Sequence, residues 1–63
     1  MKLYEALVLA KEDSTKRITN GNIVMGYAPR FNQFYELEQV NYCVYIRTID
    51  TRELFEDGWE LVN

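Results

Sequence analysis

Histidine is absent from this sequence, and cysteine, serine and proline each occur once. Each shortage removes a class of chemistry. Without histidine there is no usual general base and no Ser-His or Cys-His nucleophile pair. Ser14, the one serine, has no base near it in sequence. A lone Cys43 excludes an internal disulfide, and without histidine it excludes a structural zinc centre. Cys43 falls inside an apolar segment, so a buried, unreactive thiol is expected there. One cysteine without a disulfide framework fits a reducing compartment. Long hydrophobic runs are also missing. The longest, Ala6–Ala10 and Cys43–Ile46, are far too short to span a membrane. No apolar segment of the signal-peptide kind follows Met1-Lys2-Leu3-Tyr4-Glu5. The chain therefore reads as cytoplasmic, with no membrane partner. Asn20-Gly21-Asn22 and Gly26 lack the spacing and the Lys-Ser/Thr of a phosphate-binding loop, and no cofactor is implied.

What is present begins with a small size and an uneven charge. The 63 residues are read as one domain, 1–63. A chain of about this length buries only about 60% of the surface its unfolded form exposes. With no disulfide or metal to help, self-association is the remaining common source of stability, and a homo-oligomer is the expected state. Net charge is −3, spread as +2 over residues 1–30, −1 over 31–49 and −4 over 50–63. An acidic total argues against sequence-independent DNA binding, and no sequence-specific DNA contact is expected either. The acidic end is a solvated helix face or a surface for a basic partner.

Hydrophobic spacing places the elements. Leu3, Ala6, Leu7 and Ala10 form a helical stripe, widened by Tyr4 and Val8, which Asp13-Ser14-Thr15 ends. Lys16–Thr19 and Asn22–Met25 flank Asn20-Gly21, the signal of a hairpin with a two-residue type I′ turn. Gly26 reads as a bulge or a strand end. Phe34–Val40 and Tyr42–Ile46 read as antiparallel strands joined near Asn41. Apolar groups on both faces of the latter suggest a central strand, or one whose second face meets a partner. Asp50-Thr51-Arg52-Glu53 fits a capping box, with Ile49 and Leu54 as a staple. Gly58 closes that helix, and Trp59–Val62 is a final strand. The expected fold is α+β: a small antiparallel sheet of four to five strands with an N-terminal helix and a short C-terminal helix.

Glu53 with Glu56, and Glu53 with Asp57, stand at helical spacings that suit a divalent cation or an acid-base pair, and equally an ordinary solvated face. The aromatic content is more informative. Three Phe, five Tyr and one Trp exceed what so small a core can hide, and tyrosine suits binding surfaces. Tyr27-Ala28-Pro29-Arg30-Phe31-Asn32-Gln33-Phe34-Tyr35 sets aromatics beside arginine and amides on an expected loop. Arg17 and Arg30 would meet phosphate while Tyr27 and Phe31 stack on a base. The plainer reading has Phe31 and Phe34 in the core and Arg30 in solvent.

Both ends of the chain carry a resemblance. Leu3-Tyr4-Glu5-Ala6-Leu7 followed by Lys16-Arg17-Ile18-Thr19, and Asp50–Gly58 followed by Trp59-Glu60-Leu61-Val62, resemble the Thoeris anti-defence sponge family of small phage and mobile-element domains. Where that family usually has an Arg-Lys-Ser-Trp-like segment, this chain has Asn20-Gly21-Asn22. No ligand-binding residue carries over. The resemblance implies a phage-type, non-catalytic homo-oligomer that sequesters a nucleotide-like immune signal. The alternative is an inhibitor or adaptor that binds a host protein through its acidic helix or its Tyr-rich sheet.

Overall fold

The computed structural model describes residues 1–38 and 40–62. It is an α+β fold of one helix, α1 (Leu3–Glu12), and five strands: β1 (Arg17–Thr19), β2 (Val24–Ala28), β3 (Gln33–Leu37), β4 (Val44–Ile46) and β5 (Glu60–Val62). A 3-10 helix, Thr51–Phe55, lies between β4 and β5. The sheet is antiparallel throughout and runs β4-β3-β2-β1-β5.

The stripe read from the sequence is the buried face of α1. Leu3, Ala6, Leu7 and Ala10 pack with Ile18, Met25 and Trp59 in one core. Tyr4 and Val8 do not join it; both are exposed. At 3.6 residues per turn both lie more than about 90° around the helix from the centre of the buried stripe, so they face solvent. The Lys2 amide donates to Glu5 Oε1 at 2.9 Å, which satisfies a free donor at the helix start.

Helix α1 packs on β1, β2, β5 and the 3-10 helix, not on β3 or β4. Side-chain alternation makes this a one-sided cover. Ile18 and Met25 face the helix, as do Tyr27 and Phe34 further along the ladder. Arg17, Val24, Tyr35, Leu37, Val44 and Ile46 fall on the opposite, helix-free face.

Several local expectations are corrected. Thr19 pairs with Val24, so the hairpin loop holds Asn20 to Ile23 and is not a two-residue turn. Within that loop only Gly21 has positive φ, at 97°. The Asn20 side chain organises the loop by accepting the Asn22 and Ile23 amides, each at 2.9 Å. Gly26 is neither bulge nor strand end; it sits mid-strand in β2, opposite Tyr35. Strand β3 ends at Leu37 and does not run on to Val40: Glu38 lies outside the strand and Val40 is in a turn, while Gln39 falls outside the described residues. Strand β4 is an edge, not a central strand.

The C-terminal capping box forms. Asp50 Oδ1 accepts the Arg52 amide and the Asp50 amide donates to Glu53 Oε2, both at 2.9 Å. Ile49 and Leu54 pack half-buried on the core. The helix it caps is 3-10, and it ends at Phe55; Gly58, at φ 92°, turns the chain afterwards into Trp59. Trp59 then anchors β5 in the core.

Candidate functional site

The end of the sheet where α1 finishes, β1 starts and β2 turns into β3 gathers four of the five basic side chains of residues 1–30; Lys2, at the start of α1, is the exception. Lys11 is in the last turn of α1, Lys16 immediately precedes β1, Arg17 opens it, and Arg30 is in the β2–β3 turn. Among the described residues no ion pair involves any of the four. Lys16 does act on Asp13: hydrogen bonds from Thr15 chiefly hold that carboxyl below its ordinary range, with a smaller contribution from the Lys16 charge.

All four residues expected to bind ligand lie at this end, with different availability. Arg17 is exposed on the helix-free face, and its Nε donates to Tyr35 Oη at 3.2 Å. Arg30 and Phe31 are exposed at the turn, Phe31 to 69%. Phe31 is therefore not in the core, whereas Phe34 packs against it. Tyr27 is only 8% exposed. Its ring meets Phe34 edge-on with centroids 5.1 Å apart, and Lys11 Nζ stands 5.7 Å from the ring centroid. Its hydroxyl donates to Asn32 Oδ1. The ring is thus buried among side chains of this chain, and Tyr27 supports the turn rather than stacking on a base. Asn32, at φ 52°, turns the chain beside it.

Cys43 corrects the sequence reading. It stands immediately before β4, outside the strand, and is exposed. The apolar run around it predicted burial, but that run lies at the edge of the sheet.

Four of the ten acidic side chains, Asp50, Glu53, Glu56 and Asp57, lie in or beside the 3-10 helix. Asp50, Arg52, Glu53 and Glu56 line an open depression. Arg52 Nη2 stands 3.1 Å from Asp50 Oδ2, and this contact is the main reason the Asp50 carboxyl sits below its usual range. Glu53 faces inward to Arg47, so it does not join Glu56 in a carboxylate pair. Among the described residues no cluster of His, Cys, Asp or Glu suits a metal ion.

Two features escaped the sequence reading. Arg47 bridges the sheet to the 3-10 helix: it pairs with Glu53, its Nη1 lies 3.2 Å from Glu36 Oε1, and it reaches Met25 Sδ at 3.5 Å. The second is Tyr35 lying across Gly26 on the helix-free face. Alternation could have placed Glu36 and Arg47 on one face, but not Glu53, which arrives from another element.

No helix among the described residues is long and apolar enough to cross a membrane. No family model, curated protein or solved structure matches this chain.

Proposed function

We propose that this chain is a non-catalytic binding protein whose basic sheet end holds a nucleotide-like anion, in the manner of a phage-type sponge acting in the host cytoplasm. The observation that supports it is the exposed Phe31 ring beside Arg30, at the same end as Arg17, Lys11 and Lys16, none of them in an ion pair among the described residues. A ring supplies a stacking face that tolerates any base, and guanidinium groups bind phosphate in a bidentate fashion. The terminal resemblance points the same way.

Calorimetry with cyclic nucleotides and ADP-ribose isomers tests this. Heat with at least one of them is expected at about 10–100 micromolar, a range that corresponds to roughly 5.5–7 kcal/mol. That heat should weaken at high salt and vanish in Phe31→Ala. No heat with any of them would refute the reading. A second reading, docking on a host protein, is favoured by the apolar row Val24, Leu37 and Val44 across the helix-free face. It predicts a stoichiometric bacterial partner that Leu37→Lys no longer retains.

A further inference from the structure

The two edges of the sheet differ. Strand β5 carries Glu60 and follows Asp57, charges that discourage another strand from pairing with it. Strand β4 is Val44-Tyr45-Ile46, with no charge and no proline, and all three residues are exposed. Its ladder to β3 leaves a defined set of backbone groups free. The Glu38 amide donates to the Cys43 carbonyl at 2.8 Å, and the Arg47 amide donates to the Phe34 carbonyl at 2.9 Å. Each of these couples residues directly opposite in the register that pairs Glu36 with Tyr45. Tyr45 is therefore spent on β3 by the alternation of antiparallel ladders, while the N–H and C=O of Val44 and Ile46 point away from the sheet.

We propose that this edge is filled by β4 of a second copy of the chain, antiparallel about a two-fold axis at Tyr45. Val44 of one copy then lies opposite Ile46 of the other, and the outward N–H and C=O groups satisfy each other. A strand centred on its own middle residue is self-complementary, as a two-fold interface requires. The charges nearby do not oppose this. Arg47 is neutralised by Glu36 and Glu53, and Glu38 accepts from Tyr45 Oη and Asn41 Nδ2 within its own chain.

The surface available at this edge sets an upper limit on what a dimer could bury, and that limit corresponds to a small interface. Val40, Tyr42, Val44, Tyr45 and Ile46 are 83, 79, 60, 51 and 58% exposed. With about 150–250 Å² on a large ring and somewhat less on an aliphatic group, this edge and its turn hold on the order of 600 Å² of side-chain surface. The backbone of β4 adds to it, against roughly 800 Å² per partner in a standard interface. Tyr42 is held at φ 55°, a conformation that is an outlier for a bulky side chain, and the result is a ring presented beside β4. The pairing would join two sheets into one and place two helix-free faces side by side. It does not depend on the ligand reading: failure of the calorimetry leaves the dimer standing, and a monomer leaves the calorimetry unaffected.

The test is sedimentation of the whole chain across micromolar to millimolar concentration, with amide exchange read residue by residue. Wild type should sediment at twice the mass of one chain. In Val44→Pro, which removes an outward N–H without touching the β3 ladder, and in Ile46→Lys, the dissociation midpoint should rise at least about tenfold. The Val44 and Ile46 amides should be protected in the dimer and exchange rapidly at dilution, while the Tyr45 amide stays protected in both. Ile46 is exposed, so the lysine variant keeps the test informative should the proline variant unfold. A monomer at every concentration would assign the edge to another partner or to solvent and overturn the proposal. So would a dimer indifferent to both substitutions, or one whose Val44 and Ile46 amides exchange freely.

Discussion

Replacing Gly26 with alanine should change the sign of its effect when Tyr35 is removed. A Cβ added at Gly26 would stand 2.5 Å from Tyr35 Cζ and 2.9 Å from Cε1, and closer still to the hydroxyl. These distances are well inside van der Waals contact, so the ring must leave. Overpacking of this kind costs about 1–3 kcal/mol. Because the crowded atoms are the far end of a flexible side chain, the lower part of that range applies. The displaced hydroxyl also loses the Arg17 Nε donor, worth about 0.5–1.5 kcal/mol. Gly26→Ala alone should therefore destabilise by about 2 kcal/mol, which lowers Tm by roughly 8–16 °C in a domain of this size. In a Tyr35→Ala background the space is empty, and alanine is favoured over glycine inside a strand by about 0.5–1 kcal/mol. There Gly26→Ala should stabilise. Urea and thermal unfolding of the four proteins, followed by circular dichroism, give the interaction directly. An equal loss in both backgrounds would refute the explanation and assign glycine to a backbone requirement instead.

Arg47→Leu should destabilise by about 2 kcal/mol, since it strands two half-buried carboxylates on one face; this lies below the 3–5 kcal/mol of a fully buried pair because solvent still reaches the groups. A loss under about 0.5 kcal/mol would place the pair with ordinary surface bridges. Asn20→Ala should cost about 1 kcal/mol through the two loop amides it leaves unpaired, and Asn20→Asp should retain most of the stability. Asp13, Asp50 and Asp57 are all held below the ordinary carboxylate range, Asp50 chiefly by Arg52 and Asp57 chiefly by the Gly58 amide. Their contribution is complete above the unfolded values near about pH 4 and is lost as pH falls through the lower folded values. Asp50→Asn should flatten that acid limb in a pH series of melts; an unchanged limb would show that Asp50 takes no part. Tyr45 is the opposite case. Its hydrogen bond to Glu38 leads in pushing the phenol up to about 12, so stability should fall as pH rises from about 10 towards 12. Tyr45→Phe should remove a phenol that ionises near pH 12 from an absorbance titration, and its persistence would refute the assignment.

Local rules carried most of the architecture. The apolar stripe of α1 is buried as its spacing requires, and the Asp50-Glu53 box forms where the residue types allow it. Both depend on residues within a few positions of each other. The errors arose where a residue's surroundings come from distant segments. Gly26 looks like a break because its lack of a side chain is visible, whereas Tyr35, which occupies the space, is in another strand. Cys43 and β4 look buried because alternation on both faces is the mark of a central strand. That mark cannot tell burial within the chain from a surface left uncovered. The same ambiguity affected the site: Tyr27 and Phe31 are alike as ring residues, but the β2 register turns Tyr27 towards α1, and the turn leaves Phe31 outside.

One helix covers one face of three strands, and this accounts for where the remaining rings went. With α1 committed to β1, β2 and β5, any aromatic beyond Phe34 along the sheet order has no layer above it. Tyr42 and Tyr45 are exposed for that reason, and Tyr4 of α1 and Phe55 of the 3-10 helix, both exposed, pair with ring centroids 5.9 Å apart. A chain that kept Val44, Tyr45 and Ile46 at such an edge without a lysine or proline would expose a strand ready to pair. Shortness limits that hazard, and Arg47 anchors the strand's end to the 3-10 helix through Glu53. The anchor keeps β4 ordered enough to present its outward amides in register, a requirement for specific pairing and not for indiscriminate aggregation. Loss of Arg47 should therefore weaken self-association beyond what its effect on folding explains. Sedimentation of Arg47→Leu under conditions where it remains folded would separate the two effects, and an unchanged dissociation midpoint would show that β4 holds its shape without the anchor.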